Sequence, residues 1–457
     1  MSTTVGLFFW GFLLVYGALM LALTPRQVTL GGFFNGEDSQ GRSATPWLLT
    51  SSIFISWIFA KSVTNAANLG ASYGLVGGLA YATYWLSIPL TGLVIYRLRR
   101  RYAASGLVSF LGQHYGRGAA LAFSAAILIR LFNEVWSNTA VVGGYYGESG
   151  SAEFIGAALL FTAVTLAYSL RGGLRSSILT DAAQAAIFLV ALVWVLGLVL
   201  PQHSPAELAS TSHWALEAGV DLLLVAGLQL FSYGFHDPVL TDRGFISEEK
   251  SMRRSFVIAG VLGFVAILAF SLIGVHAQLS GLAASDNVPA ALAKSLGIGA
   301  LLVMTVVMVS AAGSTLDSTF SSLAKLAGRE LPLLAGRDLG RKALGVGMAV
   351  MVLFALLGNL PMIAGTDILK ATTISGTMVI GLAPVFLLHG LVAPTRLGFH
   401  LSFWTGLGLG VALTLGWIPQ TWAIGEGKYA LLLGTNLYGL GLCVLGYVLP
   451  GLWRRAG

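Results

Sequence analysis

The chain has 457 residues, of which 56% are hydrophobic and only 10% are charged, and its mean hydropathy is +0.80. This composition excludes a soluble domain of this length, and the continuous rather than alternating apolar runs exclude a β-barrel. The net charge is +7, but the basic residues lie in short loops, where they are expected to set membrane topology rather than bind nucleic acid.

Apolar segments long enough to cross about 30 Å of hydrocarbon recur along the whole chain. They predict an all-α membrane protein with about thirteen transmembrane helices, at 4–24, 47–70, 74–97, 119–147, 154–171, 176–200, 218–236, 255–279, 298–326, 343–359, 367–391, 399–418 and 429–452. The first segment has no basic region before it, which favours a membrane helix over a cleaved signal. The single cysteine, Cys443, lies in an apolar segment, so no disulfide forms within the chain.

The distribution of lysine and arginine predicts the orientation. With the N-terminus outside, the cytoplasmic loops and the C-terminus hold 21 basic residues, Arg243 among them, and the outer loops hold two, Lys294 and Lys428. This bias follows the positive-inside rule. It predicts a multi-pass protein of the bacterial inner membrane with a cytoplasmic C-terminus.

The second segment becomes polar from Lys61 onward, with Ser62 and Asn65 following. Asparagines and small residues weaken a regular helix, and an interrupted membrane helix frees carbonyls that can bind a cation. We therefore predict an irregular helix here, with Lys61, Ser62 and Asn65 as candidate substrate-binding residues.

The fourth segment places Arg130, Asn133 and Glu134 on one helix face, followed by Ser137 and Asn138. A polar face cannot contact lipid, so it lines a cavity or a protein interface. Arg130 would suit a substrate carboxylate, and Glu134 an amine or urea-like group. Alternatively the two side chains, four residues apart, pair with each other and then say nothing about the substrate.

Oxygen-rich faces also appear in the sixth and ninth segments. Asp181 lies with Ser177, Thr180 and Gln184, and the ninth segment carries Ser314, Thr315, Asp317 and Ser318. Carboxylates and hydroxyls suit a hard monovalent cation. Serines in membrane helices often only satisfy backbone carbonyls, but that role does not account for two buried aspartates.

The seventh segment ends in LQLFSYGFHDP, in which Gln229, Tyr233 and His236 precede Pro238. Proline stops the helix. The three polar side chains are either substrate-binding residues or part of a simple helix end at the membrane surface.

With these motifs, the chain resembles the sodium/solute symporter family over nearly its whole length. YSLRGGLRSSILTDAAQ at 168–184 resembles the family pattern of an aromatic residue, a glycine pair, Thr-Asp and Gln. AAGSTLDS at 311–318 resembles the A-x-x-S-T sodium motif, and SYGFHDPVLTDRGFIS at 232–247 is similar to the family segment that follows the seventh helix. The resemblance therefore implies secondary transport.

The resemblance implies the inverted-repeat amino-acid-transporter fold in a single domain, 1–457. Helices two to six, at 47–200, and helices seven to eleven, at 218–391, would form two inverted five-helix repeats. The segment 4–24 and the pair at 399–452 would be peripheral. The binding site would lie between the repeats, near the middle of the membrane.

By the same resemblance, a sodium ion would be bound by the Ala311 carbonyl and the hydroxyls of Ser314 and Thr315. Two carbonyls of the second helix would complete this site, and counting back from Gly74 places them at Ile55 and Ile58. A possible second cation site would involve the side chains Asp181, Asp317 and Ser318.

Two residues depart from the family pattern. A hydroxyl is usual at the position of Asp317, and Lys61 follows the predicted carbonyl ligands. Lys61 either replaces sodium as a tethered cation, which would make transport proton-coupled or uncoupled, or pairs with Asp317 or Asp181. We favour pairing, because the hydroxyl ligands would otherwise have no purpose.

The sequence therefore predicts a sodium-coupled symporter that imports a small polar organic solute and contacts membrane lipid. The alternatives are the carrier in which Lys61 replaces sodium and a transporter-like membrane sensor. No enzyme motif or cofactor fingerprint is present, and sodium is expected only as the coupling ion.

Overall fold

The computed structural model describes residues 3–27, 29–282, 285–363 and 375–456. An apolar segment in a membrane forms a helix because each backbone N–H and C=O group must find a hydrogen-bond partner within the segment. The helices of ten or more residues are α1 (Thr3–Leu23), α2 (Pro46–Ser56), α3 (Ala60–Ala82), α4 (Ser87–Tyr102), α5 (Arg117–Gly143), α6 (Ala152–Gly172), α7 (Leu174–Val199), α8 (Val220–Gln229), α9 (Glu249–Leu279), α10 (Ile298–Lys325), α11 (Lys342–Leu357), α12 (Arg396–Thr414) and α13 (Ala430–Ala456).

Short helices and turns connect these elements. The short α-helices are Leu30–Asn35, Leu107–Tyr115, Pro205–Ser210, Pro238–Thr241, Val288–Ser295, Leu331–Leu334, Leu360–Ile363 and Leu382–Leu387. The 3-10 turns are Thr83–Leu86, Leu200–Gln202, Leu216–Ala218, Tyr233–His236, Asp242–Phe245 and Gln420–Trp422, and Leu326–Glu330 is a π-helical turn. The β-structure within the described ranges is one isolated bridge between His389 and Val392.

Ten helical stretches of the described chain are long and apolar enough to cross a membrane, and α2 and α8 are shorter apolar helices. Outward-facing apolar side chains such as Val190, which is 72% exposed, give the bundle the surface that lipid requires. The prediction of an all-α membrane protein is confirmed, whereas the count of thirteen spans is not. The predicted segment 367–391 falls partly on 364–374, which lie outside the described residues.

Gly74 separates two predicted segments that otherwise run together. The stretch Ala60–Tyr102 has 43 residues, which as one straight helix would be about 65 Å long, twice the thickness of the hydrocarbon core. Gly74 interrupts it with φ 61° and ψ −143°, a conformation that glycine adopts without the steric cost of a Cβ atom. The predicted boundary between 47–70 and 74–97 agrees with this turn.

Two helices break inside the bundle. The first break separates α2, which ends at Ser56, from α3, which begins at Ala60. The second follows Gln229, where α8 gives way to the turn Tyr233–His236. The predicted segment 218–236 is thus a helix for only part of its length. Irregular backbone at this depth is tolerated where it lines a site within the protein.

Candidate functional site

The first break lies just before the polar run rather than within it. Lys61, Ser62 and Asn65 are on the regular helix α3. The break is stabilised from α5, because the side-chain oxygen of Asn138 accepts a hydrogen bond of 3.1 Å from the Ala60 amide. The interrupted helix is confirmed, and the position of Asn138 explains where α3 resumes, since it caps an amide that has no partner in its own helix.

Oxygen atoms from α2 and α10 converge at this break. The Thr315 hydroxyl lies 3.2 Å from the Ser56 carbonyl and 3.1 Å from the Ala311 carbonyl. The Ser314 hydroxyl lies 3.4 Å from the Ser56 hydroxyl and donates to Asp181 Oδ1 at 2.5 Å. All these side chains are buried. Carbonyl and hydroxyl oxygens so arranged are ligands that a hard monovalent cation prefers.

Of the two predicted carbonyl ligands, Ile55 lies on α2 and Ile58 lies in the first break. The Ile55 carbonyl accepts a hydrogen bond of 3.0 Å from the Ile58 amide. The carbonyl that the structure brings to Thr315 is that of Ser56, the last residue of α2. Counting back from Gly74 does not locate the break to a single residue, so the sequence analysis did not single out Ser56.

Asp181 on α7 is bound by an arginine from the segment after the second break. Arg243 Nη2 lies 3.0 Å from Asp181 Oδ2, 2.7 Å from the Ser318 hydroxyl and 3.1 Å from the Ser177 hydroxyl. Arg243 Nε also donates to the Ser52 hydroxyl at 2.7 Å. The guanidinium therefore occupies the space between Asp181 and Ser318, where a second cation was predicted.

Arg243 corrects the sequence interpretation. It was counted among the cytoplasmic loop charges, but its side chain is fully buried. The chain returns into the bundle after Pro238 through a short helix and the 3-10 turn Asp242–Phe245. The signal that was present is the basic residue at the end of the motif at 232–247.

Asp317 on α10 is held by hydroxyl groups. Its Oδ2 accepts from the Tyr168 and Thr180 hydroxyls, each at 3.0 Å, and the Ser318 hydroxyl lies 3.3 Å from Oδ1. Within the described ranges, no basic nitrogen lies within 4.0 Å of this carboxyl group. A buried carboxylate without a basic partner is costly, and such groups mark ion pathways in membrane proteins.

A second buried charge network joins α3, α5 and the second break. Lys61 Nζ lies 2.7 Å from Glu134 Oε1 and 3.1 Å from the Ser137 hydroxyl. Arg130 pairs with Glu134 and lies 3.0 Å from Asp237 Oδ2. All four charged side chains are buried. Each cation nevertheless has at least one carboxylate partner.

This network overturns the favoured pairing of Lys61 with Asp317 or Asp181, because Lys61 binds Glu134 instead. The start of α3 faces α5, where Asn138 also caps the helix, and this directs Lys61 toward Glu134. The predicted alternative in which Arg130 and Glu134 pair is confirmed. The pair therefore gives no direct information about the substrate, and Asp237 was missed.

A narrow cavity lies beside this network. It is lined mainly by aromatic side chains, together with two leucines and one serine, and its lining residues are Trp57, Phe59, Ser62, Leu69, Tyr81, Tyr84, Trp85, Leu222, Tyr233 and Tyr429. Of the predicted substrate residues, Ser62 and Tyr233 line this cavity. The sequence analysis missed the other rings because aromatic residues are common in any hydrophobic core.

Three more of the predicted substrate residues contact side chains or backbone of the cavity wall. Asn65 donates to the Tyr81 hydroxyl at 3.2 Å, and Gln229 accepts from the Tyr84 hydroxyl at 2.8 Å. His236 Nδ1 lies 2.7 Å from its neighbouring carbonyl at Tyr233. These contacts position rings of the wall. Asn133 is half-buried and does not line the cavity in the part of the chain described.

Sequence comparisons identify relatives of part of the chain. The sequence profile of the sodium:solute symporter family matches residues 39–240. The "Sodium/glucose cotransporter 4" of Danio rerio is 26% identical over 168 residues, which are 35% of this chain and 24% of that protein. The match therefore spans about a quarter of the length of that relative.

Structural comparisons cover nearly the whole chain. A Na+-coupled sialic acid symporter in a substrate-bound, outward-open state aligns with a TM-score of 0.73 at 13% identity, over 97% of this chain and 98% of the other. Mhp1, a nucleobase-cation-symport-1 family transporter closed around bromovinylhydantoin, aligns with 0.56 at 13% identity, over 93% and 95%. MhsT with L-phenylalanine aligns with 0.57 at 14%, over 89% and 99%. At such low identity these likenesses establish the fold.

Proposed function

We propose that this chain, which belongs to the sodium:solute symporter family, is a secondary active transporter that uses a sodium gradient to import a small solute. The observation that carries the proposal is the convergence of carbonyl and hydroxyl oxygens at the break between α2 and α3. A broken membrane helix packed against a hydroxyl-bearing helix supplies sodium ligands at mid-membrane depth.

The proposed sodium ligands are the Ser56 and Ala311 carbonyls and the hydroxyls of Ser314 and Thr315. Thr315 already contacts both carbonyls, so these three oxygens lie close together. Ser314 links these oxygens to Asp181, whose charge adds to the attraction for a cation. Ile58 remains a candidate third carbonyl, while the Ile55 carbonyl accepts the hydrogen bond that ends α2.

One sodium ion per cycle is favoured over two. The predicted second site at Asp181, Asp317 and Ser318 has the Arg243 guanidinium between two of its members. A guanidinium supplies the positive charge that a sodium ion would otherwise supply to Asp181. Asp317 remains without a basic partner among the residues described and is the part of this site with the greatest capacity for a further cation.

The two broken helices lie where the proposed repeats would move against each other during alternating access. We assign 47–200 and 218–391 to two inverted repeats and 4–24 and 399–452 to peripheral helices, following the family fold. Each assigned repeat begins with one of the broken helices, α2–α3 or α8 with its following turns. Rocking of one repeat against the other would expose the site between them to each side in turn.

The alternative in which Lys61 replaces sodium loses its geometric support. Lys61 Nζ is bound to Glu134 and Ser137, on the side of α3 that faces α5. For orientation we retain the proposal of a bacterial inner-membrane protein with its N-terminus outside, based on the excess of basic residues in alternate loops.

The test is uptake of a panel of radiolabelled solutes into proteoliposomes, with sodium replaced by potassium at fixed pH. We expect uptake to require sodium, with a Hill coefficient for sodium of about 1 because one site is available.

Replacing both hydroxyls, Ser314→Ala with Thr315→Ala, should raise the half-saturating sodium concentration roughly ten-fold or more, since a contact to a charged group contributes about 1.5–3 kcal/mol. Ser310→Ala, on the same helix and outside the proposed site, is the matched control. Uptake that is the same in potassium as in sodium would refute the proposal.

A further inference from the structure

Five aromatic side chains form a closed ring around the cavity, and we name this ring the aromatic box. Each member packs against two others, and all five line the cavity and are at most 8% exposed. The centroid distances around the ring are 6.1 Å for Trp57–Trp85, 5.8 Å for Trp85–Tyr81, 5.8 Å for Tyr81–Tyr84, 5.3 Å for Tyr84–Tyr233 and 6.0 Å for Tyr233–Trp57.

The walls of the aromatic box are inclined to one another. Neighbouring rings meet at interplanar angles between 55° and 77°, so no adjacent pair forms the parallel slot that would hold a flat molecule. A regular pentagon with sides of these lengths has its centre about 5 Å from every centroid, inside the roughly 6 Å at which a cation is attracted to a ring face. The shape and the spacing suit a compact cationic group.

Three polar groups of the box are already engaged, whereas the buried Trp85 Nε1 has no hydrogen-bond partner among the described residues and could donate to an acceptor on a bound molecule. Trp57 Nε1 donates to Asp237 at 2.9 Å, the Tyr84 hydroxyl to Gln229 at 2.8 Å and the Tyr81 hydroxyl to Ser62 at 3.1 Å. A primary or secondary ammonium would need hydrogen-bond acceptors in this mainly aromatic cavity, whereas a fully methylated ammonium has no N–H group to satisfy.

Because the neighbouring charged side chains are paired with one another, the ring faces are the main groups left to recognise a substrate. Lys61 and Arg130 are both paired with carboxylates, so their charges are already matched, although the buried Arg130 Nε has no hydrogen-bond partner among the described residues. Arg130 also lies 5.7 Å from the centroid of Tyr233, a member of the box. The Tyr233 ring thus already attracts the Arg130 cation. The four charges of the network sum to zero, so they do not repel a cation bound in the box.

We propose that the solute carried by this transporter is a compact quaternary ammonium compound of the choline type, held in the aromatic box by cation–π attraction. This assignment rests on the proposed transport function and specifies its substrate class. The trimethylammonium group would sit at the centre of the box, with the rest of the molecule toward Ser62, the one aliphatic hydroxyl among the lining residues.

The first experiment measures binding of radiolabelled choline to the purified transporter in sodium. Unlabelled tetramethylammonium should compete. The uncharged carbon isostere of choline, in which a tert-butyl group replaces trimethylammonium, should compete at least about ten-fold less well because it lacks the cation. Equal competition by the isostere, or binding of no ammonium compound at all, would overturn the assignment.

Variants of Tyr84 separate the ring from its hydroxyl. Tyr84→Phe keeps the ring face and should bind choline within about three-fold of the wild type, whereas Tyr84→Leu should bind about ten-fold more weakly. Trp85→Phe keeps a smaller ring and should give an intermediate loss, which preserves the test if the leucine variant does not fold. Wild-type binding by Tyr84→Leu would contradict the role of the box.

Replacing sodium by potassium distinguishes this assignment from the proposed coupling. Choline uptake that persists in potassium would refute sodium coupling and leave the substrate class intact. Sodium-driven uptake of another class of solute, with no binding or competition by ammonium compounds, would refute the substrate class and leave the coupling intact.

Discussion

The molecule buries two charge clusters that differ in their balance. The cluster beside the aromatic cavity has two basic and two acidic side chains, Lys61, Arg130, Glu134 and Asp237. The cluster beside the proposed sodium site has, over the described chain, one basic and two acidic members, Arg243, Asp181 and Asp317. A balanced cluster satisfies itself, whereas an excess carboxylate leaves attraction for a further cation.

The balanced cluster serves as the scaffold of the first break. Asp237 binds both Arg130 and the Trp57 indole, so it ties the turn after α2 to α5 and to the second break. Glu134 accepts from Asn138, which in turn caps α3. This network therefore fixes the backbone that presents the Ser56 carbonyl, while the unbalanced cluster supplies the charge near it.

The largest expected effect is a loss of protein stability when the balanced cluster loses one of its carboxylates. Glu134→Gln leaves Lys61 and Arg130 with Asp237 as their one carboxylate, and the free energy of unfolding should fall by about 3–5 kcal/mol. Thermal unfolding in detergent measures it. The double variant Lys61→Met with Glu134→Gln restores the balance and should recover more than half of the loss. A single variant as stable as the wild type would show that the four charges do not act as a unit.

Asp181→Asn should destabilise the protein less, by about 1–3 kcal/mol, because Arg243 keeps its hydrogen bonds to the Ser52, Ser177 and Ser318 hydroxyls and the cluster becomes balanced in charge. Its effect on function should be larger than its effect on stability. Asp181 accepts from Ser314, a proposed sodium ligand, so the half-saturating sodium concentration should rise roughly ten-fold. A stability loss equal to that of Glu134→Gln would contradict the difference in balance.

The sequence predicted the polar helix faces of both clusters and, as one alternative, the Arg130–Glu134 pair, but not the partners that come from distant helices. Polar faces at Arg130 and Asp181 follow from helical periodicity, because charge in a membrane helix must face inward. The partner of each charge depends on how helices distant in sequence are rotated against each other, and Lys61 was assigned to the wrong carboxylates for this reason.

Residues in irregular segments were the ones missed. Ser56, Trp57, Asp237 and Arg243 lie at the two breaks or just after them, where no periodic pattern shows which way a side chain points. The aromatic box was missed for a different reason. Its rings come from the first break, the end of α3, the 3-10 turn Thr83–Leu86 and the second break, and only the tertiary structure shows that they close on one another.

The smallest expected effect is at Asp317, the carboxylate without a basic partner in the described ranges. Asp317→Asn keeps the shape and removes the charge, so it relieves a desolvation cost. The unfolding free energy should stay within about 1 kcal/mol of the wild type or rise, in contrast to Asp181→Asn. The half-saturating sodium concentration should rise about three-fold to ten-fold, because attraction across several ångströms is lost without any ligand being removed. Asp317→Ser places at this position the hydroxyl that is usual in the family. Its unfolding free energy and half-saturating sodium concentration should change as those of Asp317→Asn do. A stability loss as large as that of Asp181→Asn would mean that Asp317 is matched by a cation, and the two clusters would then not differ in balance.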